Sequence, residues 1–304
     1  MPRNKKKLVK EVGEFGFIAL LRRMFPIANK GIVGIGDDAA VFNRINAQKL
    51  LFTTDMVIEG VHFKKGTDPL KVGYKALACN ISDIAAMGGI PKYALVSLGI
   101  SPNKEIKYVH ALYSGIKQLA DKFNVLILGG DTVRSGKLIV NIALIGEANQ
   151  GKIVKRSTAK AGDLIFVTGE LGNSFKSGHH LNFIPRVKES QYLVQNFNPT
   201  SMIDISDGLA ADLGHIIEES GKGAVIYEEK IPKRGGCSLQ QALCDGEDFE
   251  LVFTLSESEA KRLLNVRKKA FRFFEIGKII EEGYFLIKKC GTKVELKKTG
   301  FKHF

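Results

Sequence analysis

Cysteine is scarce in this sequence: four among 304 residues, at Cys79, Cys237, Cys244 and Cys290. No two form a CxxC pair or have zinc-ligand spacing, so the thiols read as reduced and mostly structural, which fits a cytoplasmic protein. No uninterrupted apolar run approaches the ~20 residues that span a membrane. The opening MPRNKKKLVK is basic, but Glu11 and Glu14 come directly after it, which argues against a secretory signal. Nucleic-acid signatures are missing too: there is no zinc finger, no RNA-recognition motif and no basic-aromatic stripe. The net charge is +13, yet the lysines are dispersed and concentrate only near the ends, at 5–10 and 288–302. Solvated faces are therefore the first reading, and a field attracting anionic substrates or nucleic acid the second. No Ser/His/Asp or Cys/His arrangement offers an activated nucleophile.

Two nucleotide motifs fall short. Gly34-Ile35-Gly36-Asp37-Asp38-Ala39 fits G-x-G-x-x-A, but two carboxylates in that turn would repel a pyrophosphate. GEANQGKI at 146–153 nearly spells a phosphate-binding loop, but Ile153 stands where Ser or Thr must hold Mg²⁺.

What is present is a series of carboxylates where strands should end. Asp37 and Asp38 sit in a glycine-rich turn after Ile32-Val33, and Asp55 closes the run from Leu50. Asp83 lies in an Ala/Ile/Met segment, Asp131 comes after VLILGG, and Asp204 and Asp207 flank Ile205-Ser206. Burying ionised carboxylates is strongly unfavourable without compensation. Their repetition in a basic chain points to ligands converging on hard cations, foremost Mg²⁺. Asp37 has the simpler reading of a turn carboxylate accepting backbone N–H groups.

A chain this long is expected to hold two domains. Periodicity predicts a short helix over 15–25, a strand at 32–34 and another over 49–54. A helix starts at Asp68-Pro69 and runs to a break at 88–91; Asp68 is its N-cap. Further strands are expected at 93–100, 125–128 and 138–145, with a helix over 104–123. After a polar connector at 147–162 come strands at 164–168, 224–227, 251–255, 273–276 and 284–287, and helices at 209–220 and 258–265. The fold class is α/β (α+β), with an N-terminal domain at 1–147 and a C-terminal one at 148–304.

In order, the chain spells GIGDDAA (34–40), FTTDMVIEGVHF (52–63), YKALACNISDIAAMGGIP (74–91), GGDTVRS (129–135), KRSTAKAGD (155–163), MIDISDGLAADLGHI (202–216), DGEDFEL (245–251) and TGFKHF (299–304). Across almost its whole length it resembles the ATP-dependent superfamily of aminoimidazole ribonucleotide synthetase, selenophosphate synthetase and the hydrogenase maturation dehydratase. The TTD run with His62 after it, the GEDFEL run and the terminal GFKHF are most similar to the thiamine-monophosphate kinases. The reactive Cys or selenocysteine of the selenophosphate enzymes has no counterpart in GEFGF at 13–17.

The resemblance implies two α/β domains: an N-terminal mixed sheet whose pairing in a homodimer closes a β-barrel, and a C-terminal mixed sheet covered by helices. It implies Mg²⁺-assisted, in-line transfer of phosphate from ATP to thiamine monophosphate, with no assigned general base, and neither nucleic acid nor membrane as partner. The alternatives are another ATP-dependent synthetase of the superfamily, or a non-catalytic nucleotide- or nucleic-acid-binding protein. Carried over from the resemblance, the metal ligands are Asp38, Thr53, Thr54, Asp55, Asp83, Asp131, Asp204 and Asp207. Those for ATP are Tyr113, Gly130, Asp131, Arg156 and Ser206; those for the acceptor are His62, Glu247 and Phe301. Tyr113 also has core helical spacing, and Thr53 reads equally as an ordinary strand residue. The chain departs from the family at Phe301, Phe249 and Asp245, which stand where Tyr or Trp, Tyr and Gly are usual, and its segments 174–185 and 228–239 are short.

Overall fold

The computed structural model describes residues 35–43, 49–148, 152–266 and 271–302, together with positions 16, 18, 19, 22, 23, 32 and 33. Most of the helix expected at 15–25 lies outside the described residues. Two mixed sheets, each backed by helices, hold most of the described residues, as the expected fold class requires.

The first sheet has the order β1 (Ala40–Asn43), β2 (Lys49–Ile58), β5 (Ile139–Ala148), β3 (Gly89–Ile100) and β4 (Leu126–Arg134). Only β3 and β4 run parallel. Helices α1 (Pro69–Ala86) and α2 (Ile106–Phe123) cover one face. Asp68 caps α1, accepting the Leu70 N–H at 3.0 Å, and Pro69 occupies the first turn, where no N–H is needed. Such a cap contributes about 1 kcal/mol. The two helices meet backbone to backbone: a Cβ on Gly73 would lie 1.9 Å from the Leu112 carbonyl oxygen, and one on Gly115 1.8 Å from that of Leu70. Helix α1 is buried almost all round, as its Ala-, Ile- and Leu-rich sequence demands.

Among the described residues, no element covers the other face of this sheet. Phe52, Met56, Tyr93, Leu95, Leu126, Leu128 and Val133 are all exposed. A contiguous apolar sheet face of this kind marks an interaction surface.

The second sheet has the order β12 (Lys293–Glu295), β11 (Tyr284–Ile287), β8 (Gly223–Tyr227), β10 (Phe274–Ile280), β6 (Leu164–Val167), β9 (Leu251–Leu255) and β7 (Ser201–Asp204), with β8 and β11 parallel. Helices α3 (Val187–Asn196), α4 (Leu209–Ser220), α5 (Leu239–Cys244) and α6 (Glu257–Leu264) complete this half. Helix α3 also packs on α1, where Ser190 Oγ donates to the Ala85 carbonyl at 2.6 Å and Gln191 Nε2 to that of Gly88 at 2.8 Å.

Several elements differ from the sequence expectation. β3 begins at Gly89 and runs through the expected break; its ladder with β5 shifts between Pro91 and Tyr93, where proline lacks a donor. β4 continues through Gly129-Gly130 to Arg134, because a Cβ on Gly130 would stand 1.7 Å from the Val96 carbonyl oxygen. β5 extends to Ala148, two residues into the expected connector. The strand at 32–34 is a single bridge from Val33 to Val41, β7 ends on Asp204 where a strand end is expected, and α3, α5 and β12 have no counterpart among the expected elements.

Candidate active site

Helix α1 carries the centre of the site: it packs on the first sheet and also against β7 of the second. Three consecutive turns of one stripe present Lys75, Cys79 and Asp83 to a cavity of about 220 Å³. β2 brings Asp55, the 58–62 turn brings His62, and β7 with the loop after it brings Asp204, Ser206 and Asp207. The 245–250 loop adds Glu247 and Phe249, and the C-terminal segment adds Phe301. That segment is tied down by the Phe301 N–H, which donates to the Asp207 carbonyl at 3.0 Å.

Asp38, Asp83 and Asp204 each place a carboxylate oxygen within 4.8 Å of the other two. Around Asp83, the Thr53 hydroxyl donates to Oδ2 at 2.5 Å; Ser82 Oγ donates to Asp204 at 2.6 Å. Burial first, then the charges of Asp55, Asp204 and Asp38, push Asp83 well above the ordinary carboxyl range. Burial and Asp38 push Asp204 up to about 8. Arg156, from a 3₁₀ turn of the second half, grips Asp38 through Nη2 at 2.6 Å and Nε at 3.1 Å. Burial opposes its charge, but Asp38, with Asp204 and Asp212 beside it, holds the guanidinium pKa above its usual value. Three carboxylates facing one guanidinium leave negative charge without compensation, and every donor is a hard oxygen. That donor set fits Mg²⁺.

Asp37 accepts the Arg156 N–H at 2.8 Å, so it serves backbone donors as the simpler reading held, although the donor is remote in sequence. Asp55 is fixed through its own N–H, which donates to Asn80 Oδ1 at 3.0 Å. The Ile58 N–H donates to His62 Nδ1 at 3.0 Å, which requires that nitrogen to be unprotonated and leaves Nε2 as the N–H donor of the ring.

Thr54, Tyr113, Gly130 and Asp131 do not join this group. Gly130 pairs with Val96, Val96 with Ile142 and Ile142 with Asp55, so three strand spacings, roughly 14 Å, separate Gly130 from the cavity. Asp131 shares its register with Ser97, Asn141 and Met56 and is exposed beside the bare face. Thr54 is exposed there as well, its hydroxyl 3.2 Å from Asn141 Oδ1. Tyr113 packs partly against the first core and lines a surface groove with Leu126 and Ile127.

Lys75, Cys79, Asn80 and Ser82 belong to the site without standing out in the sequence. The available signal was the four-residue spacing that puts Lys75 and Cys79 on the Asp83 stripe. Among the departures, Phe249 stacks on Phe183 with centroids 4.0 Å apart, and Asp245 accepts the Asn173 N–H at 3.0 Å. The added charge at 245 thus ties two loops together beside the cavity.

Residues 36–148 match the model of the AIR synthase related protein N-terminal domain, and residues 173–289 that of the AIR synthase related protein C-terminal domain. The thiamine-monophosphate kinase of Aquifex aeolicus is 35% identical, with 97% of this chain and 99% of that protein covered. The Bacillus subtilis thiamine-monophosphate kinase is 36% identical, covering 90% and 93% respectively. A solved structure of AaThiL complexed with AMPPCP and TMP superposes with a TM-score of 0.85 at 34% identity, covering 99% of this chain and 100% of that one. Escherichia coli HypE, a hydrogenase maturation protein, shares the fold at 21% identity, with a TM-score of 0.70 over 94% of this chain and 97% of its own.

Proposed function

Since the chain belongs to the AIR synthase related family, and within it to the thiamine-monophosphate kinases, we propose that it transfers the γ-phosphoryl group of ATP to thiamine monophosphate, giving thiamine diphosphate and ADP. The observation that carries this reading is the carboxylate cluster opening into a cavity with a separate, partly aromatic side. Donor and acceptor are both phosphate anions, and a phosphate monoester is already largely ionised at pH 7, so the reaction needs in-line positioning and charge neutralisation rather than a strong base.

Asp38, Asp83 and Asp204, with Thr53, Asp55 and Asp207 beside them, would hold Mg²⁺, which when bound neutralises phosphate charge and aligns the oxygens. Arg156 and Ser206 would meet the ATP phosphates, although Arg156 must share its guanidinium with Asp38. His62 would donate from Nε2 to the acceptor, Glu247 would accept from its aminopyrimidine or balance its cation, and Phe301 would stack on a ring. The free thiols of all four cysteines suit a cytoplasmic enzyme.

The first test is thiamine diphosphate formation by purified protein with ATP, Mg²⁺ and thiamine monophosphate. Turnover of ATP with another acceptor only, or none at all, would overturn the reading.

The bare sheet face supports a homodimer in which two such faces pack together. Thr54 and Asp131 stand on or beside that face, so they would complete the site of the partner rather than their own. If so, mixing inactive Asp83→Asn with inactive Asp131→Asn protein should restore activity. Random reassortment makes half the dimers mixed, each with one intact site of two, so about a quarter of wild-type activity is expected. No recovery after verified exchange would place Asp131 in its own subunit's site.

A further inference from the structure

Lys75 is 1% exposed, among the largest fully buried side chains of the molecule. A lysine is almost never buried in this way unless its charge is paired. Its Nζ donates to the His62 carbonyl at 2.8 Å and forms an ion pair with the Glu247 carboxylate. Both partners line the cavity, as does Lys75, which is the one Lys or Arg among its described lining residues.

Glu247 is held in an unusual way. Its φ is +55°, a left-handed conformation that non-glycine residues seldom adopt. Its N–H donates to the Ser206 carbonyl at 2.6 Å, and its own carbonyl accepts from Ser174 Oγ at 2.5 Å. The backbone is thus locked, and the carboxylate is paired with Lys75, which rises from helix α1. Without that ammonium, the Glu247 carboxylate would be a further uncompensated anion in a cavity already lined by Asp55, Asp83, Asp204 and Asp207.

Resting on the kinase reading above, we propose that Lys75 is a positioning residue for the acceptor: it holds Glu247 on the organic side of the cavity, as a hydrogen-bond acceptor for thiamine monophosphate rather than a metal ligand. Lys75 touches neither the cluster of Asp38, Asp83 and Asp204 nor Arg156 in the hydrogen bonds described, so ATP binding is expected to be spared by its loss.

The test is steady-state kinetics of Lys75→Met, Glu247→Gln and the double variant, with ATP and thiamine monophosphate varied in turn. A misplaced charge-assisted hydrogen bond should raise KM for thiamine monophosphate about tenfold to a hundredfold, while KM for ATP stays within about twofold. The double variant removes both charges at similar volume and so leaves no unpaired buried ion, which keeps it foldable even if Lys75→Met alone is not. Because Lys75 acts through Glu247, adding Lys75→Met to Glu247→Gln should cost less than about threefold more. An unchanged KM for thiamine monophosphate, a parallel rise in both KM values, or a fully additive double variant would overturn the role of Lys75 alone. Absence of thiamine diphosphate from the wild-type enzyme would instead remove the kinase reading, and this proposal with it.

Discussion

Asp83→Asn is expected to lower kcat/KM for thiamine monophosphate by about a thousandfold, the scale seen when one group aimed at developing charge is removed. The carboxamide keeps the shape of the side chain and can still accept from the Thr53 hydroxyl, now at 2.5 Å from Oδ2. What it loses is the negative charge that faces Asp38 and Asp204 across the cluster. The same change relieves the repulsion that pushes Asp83 upward, so metal-free Asp83→Asn protein should melt at or above the wild-type temperature. Loss of turnover together with undiminished Tm in EDTA would separate a functional carboxylate from a structural one. A loss below tenfold, or a fall in Tm matching the fall in activity, would remove Asp83 from the centre of the site.

The second large effect is on stability against pH without divalent metal. Burial first and Asp38 second raise Asp204 to about 8, against 3.8 for the free group. Burial also raises Asp83 and Asp212 well above that value, with neighbouring carboxylates reinforcing the shift in both. Between about pH 4 and 8 the folded protein holds protons that the unfolded chain releases. The unfolding free energy therefore decreases as pH rises through this window, and the stabilisation present below the unfolded pKa is lost by the time Asp204 ionises. Melting in EDTA should shift downward by roughly 10 °C between pH 6 and 9, given that 1 kcal/mol moves Tm by about 2–4 °C in chains approaching this size. Mg²⁺ should restore more Tm at pH 9 than at pH 6, because at the lower pH it must displace protons. Calorimetry in buffers of different ionisation enthalpy would register those protons. A pH-independent Tm in EDTA, or equal Mg²⁺ stabilisation at both pH values, would contradict the coupling.

Much of the site is legible in residue order because its chemistry is conspicuous there. A carboxylate closing an apolar run, as at Asp55 and Asp204, or inside an Ala/Ile/Met helix, as at Asp83, is too unfavourable to be incidental. The same holds for the α1 start at Asp68-Pro69 and for β9 and β11, whose bounds match the apolar runs. Short or interrupted elements were less visible. Helix α3 has only a few turns of stripe behind Pro185, and β4 crosses two glycines that read as a terminus until the closeness of Val96 accounts for them.

Fold class, family and the acidic groups on which the site is built follow from residue type and local spacing. Which groups meet was decided only by the tertiary structure. Asp38 reaches Arg156, and Asp83 reaches Asp204, because α1 lies between the two sheets, whereas the sheet register carries Asp131 three strands away although its motif looks no different. Lys75 makes the point most directly: a lysine on a helix is ordinarily a solvated charge. Only the packing of α1 against the His62 turn and the Glu247 loop removes water from it and gives its ammonium two fixed partners.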